Sequence, residues 1–178
     1  MKVNDKQIRC WRSLIMKIAI GSDHNAFELK ETIKEFLADT EHEVVDFGCH
    51  SADAVDYPDV AFEVAEAISE GKAERGILLC GTGIGVSIAA NKYPGIRAGL
   101  AHDVYSAERA QLSNNAQIIT MGSQIIGPEV AKKVVAAYLN VSWADGSKRK
   151  VDKIIEKEEQ FVSENYKEAV AGSNCVVN

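Results

Sequence analysis

Five short apolar runs, most of them rich in β-branched residues and most followed by a stretch of helical periodicity, leave this chain few folds to adopt. KIAIGS (17–22), EVVDF (43–47), RGILLC (75–80), IRAGLA (96–101) and AQIITMG (116–122) are largely continuous rather than alternating, the pattern of strands buried on both faces. Phe27, Leu29, Ile33, Phe36 and Leu37 recur at helix spacing, as do Val60, Ala61, Val64, Ala65 and Ile68. Further helices are expected over about 84–92, 104–113 and 128–139. Such alternation predicts an α/β fold, a parallel sheet covered by helices on both faces. At 178 residues and 46% hydrophobic content the chain is long enough for one core and short for two. The expected organisation is an extension over 1–15, a single α/β domain over 16–147, and a C-terminal helix and tail over 148–178. The helix, about 148–169, is charged, with sparse apolar positions at Val151, Ile154, Ile155 and Phe161.

Composition removes several classes of function. A net charge of −6 without a dense Lys/Arg block argues against a nucleic-acid surface, since phosphate neutralisation needs clustered cations. No apolar run is long enough to span a membrane, and residues 1–15 lack the apolar core of a secretory signal, so a cytoplasmic location is expected. Cys10, Cys49, Cys80 and Cys175 are scattered, without zinc-ligand spacing, and read as reduced thiols. The partner expected on these grounds is a small molecule, and no metal is implied.

In open parallel sheets ligands bind beyond the carboxyl ends of the strands, so the loops there are the ones to read. The first run delivers Asp23 and His24, where Asp23 either caps a helix starting near Asn25 or faces a ligand. The second leads to Asp56-Tyr57-Pro58-Asp59, mostly turn and cap chemistry, with a phenol that either packs or binds a hydroxyl. The third ends at Cys80, followed by Gly81-Thr82-Gly83-Ile84-Gly85. This is neither the dinucleotide fingerprint nor a P-loop. A glycine loop entering a helix nevertheless turns several backbone N–H groups toward one point and favours negative charge there.

A thiol beside such a loop is either a small buried hydrophobe or a reactive group. As a nucleophile it would want a histidine base, and His24 or His102 could serve, so a cysteine hydrolase stays open on spacing alone. As a proton carrier it would need an oxyanion site and polar groups for a sugar chain. Asp23, Tyr57, Cys80, Thr82, the glycine loop and Asn114 supply that list. A non-catalytic sugar-phosphate-binding module is a third possibility.

GSDH (21–24), VDYPD (55–59) and above all ILLCGTGIGVSIAANKYPGIRA (77–98) resemble the RpiB/LacAB sugar-phosphate isomerases, the family of ribose-5-phosphate isomerase B, over about residues 16–155. The resemblance implies a three-layer α/β/α domain with a five-stranded parallel sheet in order 2-1-3-5-4. It also implies a homodimer or dimer of dimers with sites shared between subunits, and aldose–ketose isomerisation without a cofactor. By motif, Cys80 would move the proton between C1 and C2, and Gly81, Thr82, Gly83, Ile84 and Gly85 would hold the enediolate. Asp23 and Tyr57 would bind sugar hydroxyls, His24 would lie near the phosphate, and Asn114 would polarise the substrate.

The chain departs from that pattern at three places. Ser113 stands where the pentose-phosphate enzymes carry a ring-opening histidine, and Gln124 where they carry a phosphate-binding arginine. The C-terminal basic segment is shortened to Asp145–Lys150, leaving Lys148, Arg149 or Lys150 for the phosphate. Ribose 5-phosphate closes into a furanose and needs opening, a step for which His102 is the remaining candidate. A tetrose 4-phosphate has O4 esterified and cannot close, so Ser113 also fits a four-carbon substrate such as erythrose or erythrulose 4-phosphate.

Overall fold

The computed structural model describes residues 15–163. Strands β1 (Lys17–Ser22), β2 (Glu43–Asp46), β3 (Arg75–Cys80), β4 (Ala98–Leu100) and β5 (Ile118–Gly122) form one parallel sheet in the order β2-β1-β3-β5-β4. The helices are α1 (Phe27–Ala38), α2 (Tyr57–Ser69), α3 (Ile84–Ala90), α4 (Val104–Asn114), α5 (Pro128–Leu139) and α6 (Lys148–Val162). The single three-layer α/β/α domain expected from the alternation and the family resemblance is what the chain forms.

Because successive side chains on a strand point to opposite faces, each strand feeds two cores. Ile18, Ile20, Ile77, Leu79, Ile119 and Met121 pack under Leu29, Ile33 and Leu37 of α1, Ala107 and Ala110 of α4, and Val134, Val135 and Tyr138 of α5. Ala19, Leu78 and Ile118 pack on the other face under Val60, Ala61 and Val64 of α2 and Val86, Ala89 and Ala90 of α3. The Tyr138 hydroxyl donates to the Ala116 carbonyl at 2.9 Å. Burial pushes this phenol up to about 12, so it stays protonated and keeps that bond. No helix among the described residues is long and apolar enough to cross a membrane.

The structure corrects the edges of several elements. The fourth strand is Ala98–Leu100 rather than 96–101. It lies at the sheet edge and pairs only with β5, while the Ile96 N–H turns back to Tyr93 and the Arg97 N–H bonds the Gln117 side chain. The fifth starts at Ile118 rather than Ala116, because Ala116 N–H still bonds the Ala110 carbonyl of α4 past Asn115 at φ 47°. The last helix ends at Val162, with Ser163 extended, and residues 164–169 of the expected span, like Cys10 and Cys175, lie outside the described residues.

A cluster of charges closes the β2 side. Lys30 and Lys34 of α1 both reach Asp46 at the end of β2, at 2.8 and 2.6 Å. Burial raises the Asp46 carboxyl, but hydrogen bonds from Lys30, Lys34 and the Gly48 amide outweigh it and hold the group below the ordinary carboxylate value. Its contribution to stability is therefore complete above about pH 4 and is lost as pH falls through the depressed folded value. Asp46→Asn is expected to lower stability at neutral pH, with the gap to wild type shrinking below about pH 4; urea unfolding across pH reads it.

Candidate active site

The strand order reverses between β1 and β3, and the crevice at their carboxyl ends is where such sheets take ligands. Cys80 ends β3 there, 5% exposed, and its Sγ accepts the Gly83 N–H at 3.0 Å. One strand over, the Asp23 N–H donates to the Leu79 carbonyl at 3.2 Å, which sets Asp23 beside the start of the glycine loop. Asp23 is also 5% exposed, and its Oδ1 is buried with no hydrogen-bond partner among the described residues. Oδ2 meets the Asn25 amide, at 3.4 Å. The helix-cap reading of Asp23 is therefore corrected. Its side chain makes no cap bond to the 3₁₀ turn His24–Ala26 that precedes α1.

The glycine loop is fixed by close backbone packing. Gly83 lies at φ +78°, and a Cβ there would fall 2.7 Å from the Met121 carbonyl carbon and from Leu100 Cδ1. A Cβ on Gly122 would fall 2.5 Å from the carbonyl carbon of Thr82. The Thr120 hydroxyl donates to the Gly83 carbonyl at 2.9 Å from within the sheet. The Ile84 N–H bonds the Thr82 hydroxyl at 3.3 Å, while among the described residues no protein acceptor meets the amides of Gly81, Thr82 and Gly85. These are unspent donors at a strand-to-helix turn, the groups an oxyanion would use.

Tyr57 comes to the same place from the start of α2. A Cβ on Gly85 would fall 2.8 Å from Tyr57 Cε2 and Cζ, so the phenol ring lies against the loop and is 41% exposed. His24 Nδ1 accepts the Val55 N–H at 3.3 Å, and His24 borders a cleft of about 600 Å³ shared with Asn25, Glu28, Ser123 and Gln124. His102 Nε2 accepts the Gly122 N–H at 3.0 Å, and Gly122 pairs in register with Cys80, so this histidine stands at the carboxyl edge as well.

Asn114, Lys148, Arg149 and Lys150 are not brought to that edge within one chain. Asn114 ends α4 and lines a separate cleft of about 270 Å³ with Asn91, Arg97, Ala98 and Ile154. Ala98 and Gly76 both pair with Ile118, four residues below the Cys80–Gly122 level, a separation of about 13 Å along the strands. The segment leading to α6 leaves from the same amino edge, where Arg75 donates to the Val141 carbonyl at 3.3 Å. Ser123, which sequence reasoning passed over as a site residue, ties the crevice together. Its hydroxyl donates to the Asn25 carbonyl at 2.8 Å and lies 3.4 Å from that of Cys80. The signal for it was its position, the residue directly after β5. The Gln124 amide lies over Gly81, where a Cβ would come within 3.3 Å of it.

Fold and candidate site together describe an α/β enzyme with a thiol beside unpartnered backbone amides at the carboxyl edge of a parallel sheet. The family model described as Ribose/Galactose Isomerase matches residues 18–154, and the chain belongs to that family, the RpiB-type sugar-phosphate isomerases. The D-erythrulose-4-phosphate isomerase of Pectobacterium atrosepticum is 49% identical over 142 residues, 79% of this chain and 93% of that protein. Ribose-5-P isomerase B of Listeria innocua is 47% identical over 138 residues, 77% of this chain and 93% of that one. The solved ribose-5-phosphate isomerase B of Clostridium thermocellum matches with a TM-score of 0.80 at 43% identity, covering 82% of this chain and 99% of that one.

Proposed function

We propose that this protein is a cytoplasmic aldose–ketose phosphate isomerase acting on ribose 5-phosphate and ribulose 5-phosphate, with Cys80 as the proton carrier and no cofactor. The observation that carries the reading is the buried, unpartnered Asp23 oxygen next to a thiol and a set of unspent amides. An acceptor without a donor is unfavourable in a folded protein, and a sugar hydroxyl is the donor that would complete it.

In the open-chain aldose, Cys80 sulfur takes the proton from C2. The C–H electron pair becomes the C1–C2 double bond, and the carbonyl π pair moves to O1. That oxyanion is met by the amides of Gly81, Thr82 and Gly85, with Gly83 held on the sulfur and Ile84 on the Thr82 hydroxyl. The proton returns at C1, and transfer of the O2 proton to O1 completes the ketose. Asp23 and Tyr57 hold sugar hydroxyls, His24 faces the phosphate, and His102 is the group left to open a furanose.

A homodimer or dimer of dimers completes this site. Ile84, Ile88, Leu100, Val104 and Tyr105, on α3, β4 and α4, are exposed apolar side chains, between 42 and 69% accessible, and Leu100 packs against Gly83 of the glycine loop. A second copy seated there would bring its own Asn114 and one or more of Lys148, Arg149 and Lys150 to the crevice, and α6 would pack against it.

A second reading keeps the chemistry and shortens the sugar to a four-carbon phosphate. Ser113 in place of a ring-opening histidine favours it, as does the similarity to the Pectobacterium erythrulose phosphate enzyme. Comparing kcat/KM for ribose 5-phosphate and erythrose 4-phosphate decides between them; a tenfold preference is about 1.4 kcal/mol of differential transition-state binding. On either sugar, Asp23→Asn is expected to lower kcat/KM by about 10- to 100-fold, chiefly through KM, without lowering Tm. Unchanged kinetics in a folded variant would remove Asp23 from the site.

A further inference from the structure

Lys30 is fully buried, and the chemistry above makes no use of it. Its ammonium donates to both carboxylate oxygens of Asp46, at 2.8 Å each, and to the Cys49 carbonyl at 2.5 Å. Cys49 in turn donates its N–H to the Ser22 carbonyl at 2.7 Å, and the Ser22 N–H bonds the Gly48 carbonyl at 2.6 Å. The backbone so held is the residue directly before Asp23. Beyond Cys49 the loop is exposed from His50 through Tyr57. Its next fixed points are the Val55 N–H on His24 and the Tyr57 ring on Gly85. Three side chains of the proposed sugar-binding edge, Asp23, His24 and Tyr57, therefore depend on where the Gly48–Cys49 turn lies.

A buried charge is expensive, and an apolar replacement of the same volume is often neutral or better for stability. Ion pairing alone therefore does not account for this lysine, because Lys34 already pairs with Asp46 at 2.6 Å from a half-exposed position. Lys30 differs in reaching the loop backbone. Resting on the isomerase reading, we propose that Lys30 is a positioning residue for substrate binding, its ammonium clamping the Cys49 carbonyl so that Asp23, His24 and Tyr57 converge on one sugar phosphate. It touches neither substrate nor Cys80, whose own place is set by β3, β5 and the glycine loop.

The test compares wild type, Lys30→Met and Lys34→Met as full-length proteins, by steady-state kinetics on ribose 5-phosphate and erythrose 4-phosphate and by hydrogen exchange of the amides. Lys30→Met is expected to raise KM about 10- to 100-fold with a much smaller change in kcat, as loss of positioning does. Exchange over 49–57 should rise while Arg75–Cys80 stays protected, and Lys34→Met should change neither. Wild-type KM and exchange in Lys30→Met, or equal effects in both variants, overturn the proposal. If Lys30→Met does not fold, Asp46→Asn keeps the lysine and loosens its aim; faster exchange confined to 49–57 supports the clamp and unchanged exchange overturns it. A wild type that turns over neither sugar refutes the isomerase reading, and the exchange comparison still decides whether Lys30 holds the loop.

Discussion

Cys80→Ala is expected to lower kcat by about 10³-fold while leaving the protein folded, a loss near 4 kcal/mol of transition-state stabilisation. The size follows from the role, because removing the base leaves binding groups and amide donors but nothing to move the proton. The side chain is small and buried, and its sulfur accepts the Gly83 N–H, so its removal should lower Tm by only a few degrees. KM should change little, since Asp23, His24 and Tyr57 stay in place. Exchange of the substrate C2 proton with solvent deuterium should stop with turnover. A Cys80→Ala protein that keeps full activity would falsify the assignment. An acyl-enzyme trapped on Cys80 of the wild type would point instead to nucleophilic chemistry.

Gly122→Ala should be the most damaging of the small substitutions around the loop. Its Cβ would lie 2.5 Å from the Thr82 carbonyl carbon and 2.6 Å from its Cα, and both are backbone atoms that cannot rotate away. The loop has to shift as a body, which displaces the amides and the Thr82 hydroxyl together. A stability loss of about 1 to 3 kcal/mol and a fall in kcat/KM of about 10²-fold are expected. Gly127→Ala is the control, since a Cβ there meets nothing within 4 Å. It should leave both urea midpoint and kinetics unchanged. Equal effects at the two glycines would mean that the loop tolerates displacement, and the anion-hole argument would fail with it.

The parts of the site that could be read directly are those fixed by local backbone. The Cys80–Gly85 stretch declares itself because a positive φ at Gly83 and the absence of a Cβ at Gly85 are requirements that only glycine meets. Asp23 was found as a residue at a strand end, but its side-chain role was ambiguous, because capping and ligand binding use the same carboxylate. The structure removes only the first, since the Asp23 side chain makes no cap bond. Ser123 was missed because a serine after a strand is ordinary turn chemistry until its hydroxyl is seen to bridge Asn25 and Cys80.

By itself the sequence determined the layers, the parallel sheet and the glycine loop after the third strand. Runs apolar on both faces can be buried only between helices, and such patterns are local along the chain. The tertiary structure decided what meets what. It set the Tyr57 ring on Gly85, buried Lys30 against Cys49, and stood His102 on Gly122. It also left Asn114 in a cleft beside Ala98, which lies about 13 Å of strand below the Cys80 level. Those outcomes depend on strand order and register, which are settled by long-range packing that no single segment contains.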